Sequence, residues 1–224
     1  MTAYQFWSVI GAGLGWIGWA LSPLLLLPLA GLIAPRPLAE PLGFLSRAAD
    51  NINLAVGWAS KWFAVALLGL VCWIVVERYV FGLGSTKTQE AVLYLHALLF
   101  MLAAGVTLLA GGHVRVDLIY TRLGPKGRAA TDFAGCYLFL MPVCILILRE
   151  AAPYIAASWR VWEGSRENLG LPYVYLLKTL VPVFAILLLV QAFSMAAKCA
   201  LILRDRLSPS ERGENAHAHA EGAA

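Results

Sequence analysis

Residues 86–112 read TKTQEAVLYLHALLFMLAAGVTLLAGG. After Lys87 and Glu90 this stretch carries no charged side chain, and His96 is its one histidine. Wound as a helix it rises about 40 Å at ~1.5 Å per residue, enough to cross the ~30 Å hydrocarbon core of a bilayer. Ser85 is placed to cap its start. Glu90 falls in the first turns, where the helix dipole favours an acid. Gly111 and Gly112 mark its end. A helix that is apolar on every side has no face for water, so the stretch is read as a membrane span.

Similar segments lie on both sides. Phe6 to Ala34 is 29 residues without a charge. A cleaved signal peptide wants a basic n-region, and no Lys or Arg precedes Arg36. Residues 1–34 are therefore expected to hold an extra N-terminal transmembrane helix. Residues 35–51, PRPLAEPLGFLSRAADN, contain three prolines among polar residues and are expected to form a cytoplasmic linker, with a short interfacial helix near Pro41. A second span is expected from about Ile52 to Phe81, with Lys61 snorkelling and Gly82 and Gly84 as stops. A fourth runs from about Ala129 to Ala152 and stops at Pro153. The stretch after it is too polar to span. Its Tyr154, Trp159 and Trp162 suit an interfacial aromatic belt on a short horizontal helix. A fifth span is expected from about Pro172 to Leu203, kinked at Pro182. Residues 205–224 read as a disordered cytoplasmic tail. The fold class is thus all-α: a polytopic membrane protein of about five transmembrane helices, an extra N-terminal one plus a four-span core over residues 52–204, with a short horizontal interfacial helix.

Composition agrees. Hydrophobic residues make up 60% of the 224 and charged ones 13%, against roughly 45–50% and 25% in soluble domains. The net charge of +4 has no long basic run behind it, which excludes a nucleic-acid partner. The four cysteines lie in apolar stretches with no ligand-spaced histidine, so neither a disulfide framework nor a zinc site is expected. Counted by side of the membrane, eleven of the 17 Lys and Arg fall on one side and six on the other. The richer side is expected to be cytoplasmic, with the N-terminus periplasmic and the C-terminus cytoplasmic.

The junction GGHVRVDLIYTRLGPKGR (111–128) breaks the apolar pattern. A lone strand cannot lie in lipid with unpaired backbone groups, so a helix end at the interface is expected. There His113 and Asp117 share a face, while Arg115 points toward lipid phosphate, a partner protein or the next turn. The alternative is a basic loop that only fixes topology.

These residues also carry a resemblance. ERYVFG (77–82), Glu90 at the head of the next helix, GHVRVD (112–117), RLGPKGRAATD (122–132) and GLPYVYLLKTLVP (170–182) occur in that order. Over roughly residues 50–204 the chain resembles the small (Q-type) membrane subunit of tripartite ATP-independent periplasmic (TRAP) transporters. STKTQEAV (85–92) resembles the branch often labelled mannitol or chloroaromatic. The resemblance implies a bacterial inner-membrane subunit that binds beside a large permease subunit, within membrane lipids, and works with a periplasmic substrate-binding protein. It implies sodium-coupled import of an organic-acid-type solute, with the sodium and substrate sites in the large subunit and no cofactor in this chain. The extra N-terminal span departs from the usual four-helix subunit.

Candidate interface residues follow. Glu77, Arg78 and Glu90 collect at the periplasmic ends of two spans, where an Arg78–Glu90 ion pair would tie them or a partner subunit would be met. With His96, His113, Arg115 and Asp117 they form the candidate subunit or lipid interface. Arg149, Arg160, Glu163, Arg166 and Glu167 are candidates for docking the binding protein, or for a self-paired loop. Two other classes compete. A membrane anchor of a redox enzyme would need facing histidines for haem. His96 and His113 lie about 25 Å apart along a helix and cannot share an iron. A stand-alone small carrier would need mid-span ionisable pairs or mirrored broken helices, and neither pattern is present. No catalytic motif appears, so no enzyme activity is expected.

Overall fold

A computed structural model describes residues 25–33, 35–112, 120 and 122–205. Its helices are α1 (Pro35–Tyr79), α2 (Thr86–Leu109), α3 (Pro125–Gly135), a π-helical turn (Cys136–Leu140), α4 (Met141–Arg160) and α5 (Val174–Leu203). Residues 25–33 are helical too. Among the described residues, four stretches are long and apolar enough to cross a membrane: Pro37–Tyr79, Thr86–Leu109, Pro125–Arg160 and Val174–Leu203. The first expected span lies mostly outside the described residues, as does the expected tail.

The stretch expected as a linker is helical. α1 runs unbroken for 45 residues, about 67 Å at ~1.5 Å per residue. Pro35 and Pro37 fall in its first turn, where the amide they lack has no intrahelical acceptor anyway. Pro41 removes one bond further in. Leu38, Leu42, Leu45 and Ala49 recur at helical spacing and face the core, where Leu42 is 1% exposed. That apolar stripe outweighs the prolines. Residues 25–33 fold back on α1: a Cβ on Gly31 would stand 2.6 Å from the Leu42 side chain. Eleven residues of one straight helix would put those positions about 16 Å apart. The Tyr137 hydroxyl donates to the Leu25 carbonyl at 2.5 Å, fixing this segment to the π turn.

At the far end of α1, Gly82 takes a left-handed φ of 65°, and the Leu83 amide turns back onto the Glu77 carbonyl at 3.0 Å. Ser85 caps α2, its hydroxyl accepting from the Thr88 amide. Gly111, with φ 67°, ends α2 in the same left-handed way.

The fourth span also differs from the expectation. α3, the π turn and α4 form one 36-residue rod that passes through Pro153 to Arg160. No separate horizontal helix follows Pro153. Pro153 and Arg149, whose carbonyl loses its partner, are both exposed, so the freed carbonyl is not sealed in the core. The π turn has a local cause. Pro142 cannot donate to Leu138 and its ring would press on that carbonyl; the widened turn relieves the clash, with the Met141 amide reaching Cys136.

α5 is the central element. It packs against α1, α2, α3 and α4, and nearly every residue from Ala185 to Ile202 is buried or half-buried. Cys136, Cys144 and Cys199 are small packing residues of this core. α1 and α2 pack on each other as well, with Gly57 against Val106. Their outer faces stay open: Trp58, Trp62, Leu68, Trp73 and Phe100 are more than half exposed.

Candidate functional site: two polar locks on an apolar bundle

Charged and amide side chains meet deep between α1 and α5. Asp50 is the hub. Its Oδ2 accepts from Lys198 Nζ at 2.5 Å, and its Oδ1 accepts from Ser194 Oγ at 2.6 Å and Gln191 Nε2 at 3.0 Å. Gln191 Oε1 in turn accepts from Asn53 Nδ2 at 2.9 Å. Ser46, Asp50 and Asn53 lie at i, i+4 and i+7; Gln191, Ser194 and Lys198 lie at i, i+3 and i+7. Each trio therefore forms one stripe, and the antiparallel helices bring the stripes face to face. The Asp50 and Lys198 side chains are each 10% exposed. Charge-assisted bonds to every oxygen offset the loss of hydration. Asn53 Oδ1 has no donor and is pressed against Gly105 of α2, where a Cβ would overlap it. Glycine at 105 thus lets α2 close over the lock.

A second lock closes the other end, where α2 and α5 begin. Glu90 Oε1 accepts from the Ser165 hydroxyl, and Oε2 accepts from the Leu171 amide at 2.6 Å. The loop after α4 is thereby strapped to the head of α2. Glu163 Oε2 accepts from Lys178 Nζ at 2.5 Å, and the same ammonium lies 4.0 Å from the centre of the Tyr154 ring. The Lys178 hydrogen bond, foremost, holds the Glu163 carboxyl below the usual carboxylate range. Trp159 donates to Thr179 at 2.9 Å and packs with Trp162 and Tyr175.

The expected site residues divide among these features. Glu77 accepts weakly from Thr88, at 3.4 Å. Arg78 is exposed and forms no ion pair with Glu90, whose oxygens Ser165 and Leu171 occupy. Glu163 belongs to the second lock, while Arg166 and Glu167 are exposed on its loop. Arg149 pairs loosely with Glu150 at 3.9 Å, both exposed, a contact worth under ~1 kcal/mol. Arg160 is exposed at the end of α4. His96 is on the outward face of α2, stacked on Phe100 with 6.5 Å between ring centres. His113, Arg115 and Asp117 lie outside the described residues. Beside that junction, Tyr120 donates to Asp132 at 2.8 Å and its carbonyl accepts from Arg128.

The described residues are helical and multi-pass, Asp50 and Lys198 neutralise each other between α1 and α5, and the outer faces of α1 and α2 are apolar, the construction of a membrane-embedded subunit. Residues 67–201 match the family described as tripartite ATP-independent periplasmic transporters, DctQ component. The chain belongs to this family and is a small permease subunit of a TRAP transporter; such a subunit is a transporter component, not an enzyme. The redox-anchor reading is thereby set aside. No curated protein and no solved structure gives a significant match to the chain.

The match begins inside α1 and covers Gln191, Ser194 and Lys198 but not Asp50 or Asn53. The first lock thus joins the family's core to a part of the chain outside the match. The sequence reading missed this lock. Asp50 falls in the stretch expected as a linker, Asn53 at the start of the expected second span, and Lys198 within the expected fifth. Two polar trios at helical spacing, one acidic and one basic, were the available signal.

Proposed function

We propose that this chain holds the large permease subunit of a sodium-coupled TRAP importer at a fixed depth and tilt in the bacterial inner membrane. In this reading the large subunit carries an organic-acid-type solute delivered by a periplasmic binding protein. The uncovered apolar faces of α1 and α2 carry the proposal. These helices touch the bundle along narrow stripes and leave three tryptophans outward, a surface suited to another polytopic chain as well as to lipid. The acids Asp50, Glu90 and Glu163 and the bases Lys178 and Lys198 serve contacts within the chain. Substrate and sodium then belong to the partner. The second lock, at the periplasmic end in this topology, presents Arg160, Arg166 and Glu167 to the binding protein.

The test is purification of the tagged chain from its native membrane in mild detergent. A large polytopic permease in equal amount supports the proposal. Recovery of the chain alone, with solute uptake by the chain alone in vesicles, refutes it.

A further inference from the structure

The turn between α1 and α2 is RYVFGLGSTK (78–87), a stretch that carries part of the family resemblance and that neither lock uses. Local contacts fix its shape. The Leu83 amide turns back onto the Glu77 carbonyl, Gly82 supplies a left-handed residue, Ser85 caps α2, and Thr88 Oγ1 donates to the Glu77 carboxylate at 3.4 Å. What the turn presents is apolar: Tyr79 is 81% exposed, and Val80, Phe81 and Leu83 are all more than half exposed. Its charges are sorted by sign. The acid, Glu77, is half-buried and bonded inward. Arg78 and Lys87, one on each helix, are exposed, and among the described residues neither enters an ion pair. An apolar tip flanked by two open cations is complementary to a surface that is both oily and negative.

Depth identifies that surface. From Ala91 to Gly112 no residue is Asp, Glu, Lys or Arg. As a helix this run rises about 33 Å, close to the thickness of the hydrocarbon core. Glu90 then lies at the edge of the hydrocarbon, and Leu83, seven residues earlier, stands at most about 10 Å beyond it. The headgroup layer is about 5–8 Å deep on each side. The tip is therefore at headgroup level, where aromatic rings and basic side chains are favoured together. A soluble partner would have to reach through that layer to cover Phe81 and Leu83. We propose that the 78–87 turn is an anchor for anionic phospholipid. Tyr79, Val80, Phe81 and Leu83 sit among headgroups and upper acyl chains, and Arg78 and Lys87 hold phosphate oxygens. α1 and α2 are thereby pinned at one depth whether or not the large subunit is bound.

The test uses the full-length chain in vesicles of mixed phosphatidylcholine and phosphatidylglycerol. Phe81→Cys carries a fluorophore in a Cys72→Ser background, which leaves only the buried thiols Cys136, Cys144 and Cys199 besides the reporter. Leu83→Cys is a second reporter in case the first disturbs the turn. Quenching is compared between phosphatidylglycerol and phosphatidylcholine, each with a nitroxide near the top of an acyl chain, and acrylamide in the water. Both lipids should quench more than acrylamide. Phosphatidylglycerol should be preferred about fivefold or more, as for cations at an anionic surface. Arg78→Gln with Lys87→Gln should remove that preference, and Arg78→Lys with Lys87→Arg should keep it. Dominant quenching by acrylamide would put the tip in water, as the seat of a soluble partner, and overturns the proposal. So does equal quenching by the two lipids, or a preference that survives the glutamine pair.

Discussion

Replacing Asp50 by alanine should be among the most damaging single changes in this chain. The carboxylate accepts three hydrogen bonds, from Lys198, Ser194 and Gln191. Without it the Lys198 ammonium, 10% exposed, has no counter-charge, and the Ser194 and Gln191 donors lose their acceptor. Removing one partner of a buried pair costs about 3–5 kcal/mol, whereas replacing both by apolar groups of similar volume is near neutral. Unfolding in mixed micelles of mild detergent and SDS, followed by tryptophan fluorescence, gives the difference. Asp50→Ala should favour the unfolded state by about 10²- to 4 × 10³-fold, since ~1.4 kcal/mol is a factor of ten. The double variant Asp50→Leu, Lys198→Met should recover most of that loss. If Asp50→Ala lies within about 0.5 kcal/mol of the parent, or if the double variant is worse than the single one, the pair is not a desolvated lock and the reasoning fails.

Other outcomes follow from the same contacts. Gly105→Leu should lower stability by about 1–3 kcal/mol, because a side chain there overlaps Asn53 and pushes α2 off α1; the same micelle titration reads it. Glu90→Ala should release the 161–173 loop, seen as faster proteolysis between Arg160 and Gly170, with α2 still intact. The Glu163 carboxyl is held low, so its contribution is present in full above the unfolded value near 4.5 and is lost as pH falls through the folded one. Loop protection against pepsin should therefore persist down to about pH 4.5 and fade below it, and Lys178→Met should lower the protection above pH 4.5 and flatten its pH dependence. Arg115→Ala or Asp117→Ala should weaken assembly with the large subunit without changing which solute is imported; a changed solute preference would argue for a site in this chain.

The spans were legible because lipid imposes one rule on all of them: a long uncharged run must be helical. Ser85, Gly82 and Gly111 marked ends that the backbone confirms, since caps and left-handed glycines act locally. The errors arose where local signals met distant ones. Pro35, Pro37 and Pro41 read as a linker and Pro153 as a stop, yet the Leu38–Leu42–Leu45 stripe packs into the core and the exposed side of α4 tolerates a freed carbonyl. The Glu90 partners were illegible for a similar reason. Charge and proximity suggested Arg78, while the true donors are a serine and a backbone amide more than seventy residues away. Asp50 and Lys198, 148 residues apart, each looked ordinary in their own neighbourhood.

That separation gives the bundle an order in time. α5 packs against α1, α2, α3 and α4 and is synthesised after all four. At about 5–20 residues per second, Lys198 is made roughly 7–30 s after Asp50. For that interval the earlier spans enter the bilayer without the helix that unites them, and Asp50 has no ammonium to face. A nascent chain halted before residue 198 would therefore hold Asp50 without the ammonium that neutralises it in the folded bundle.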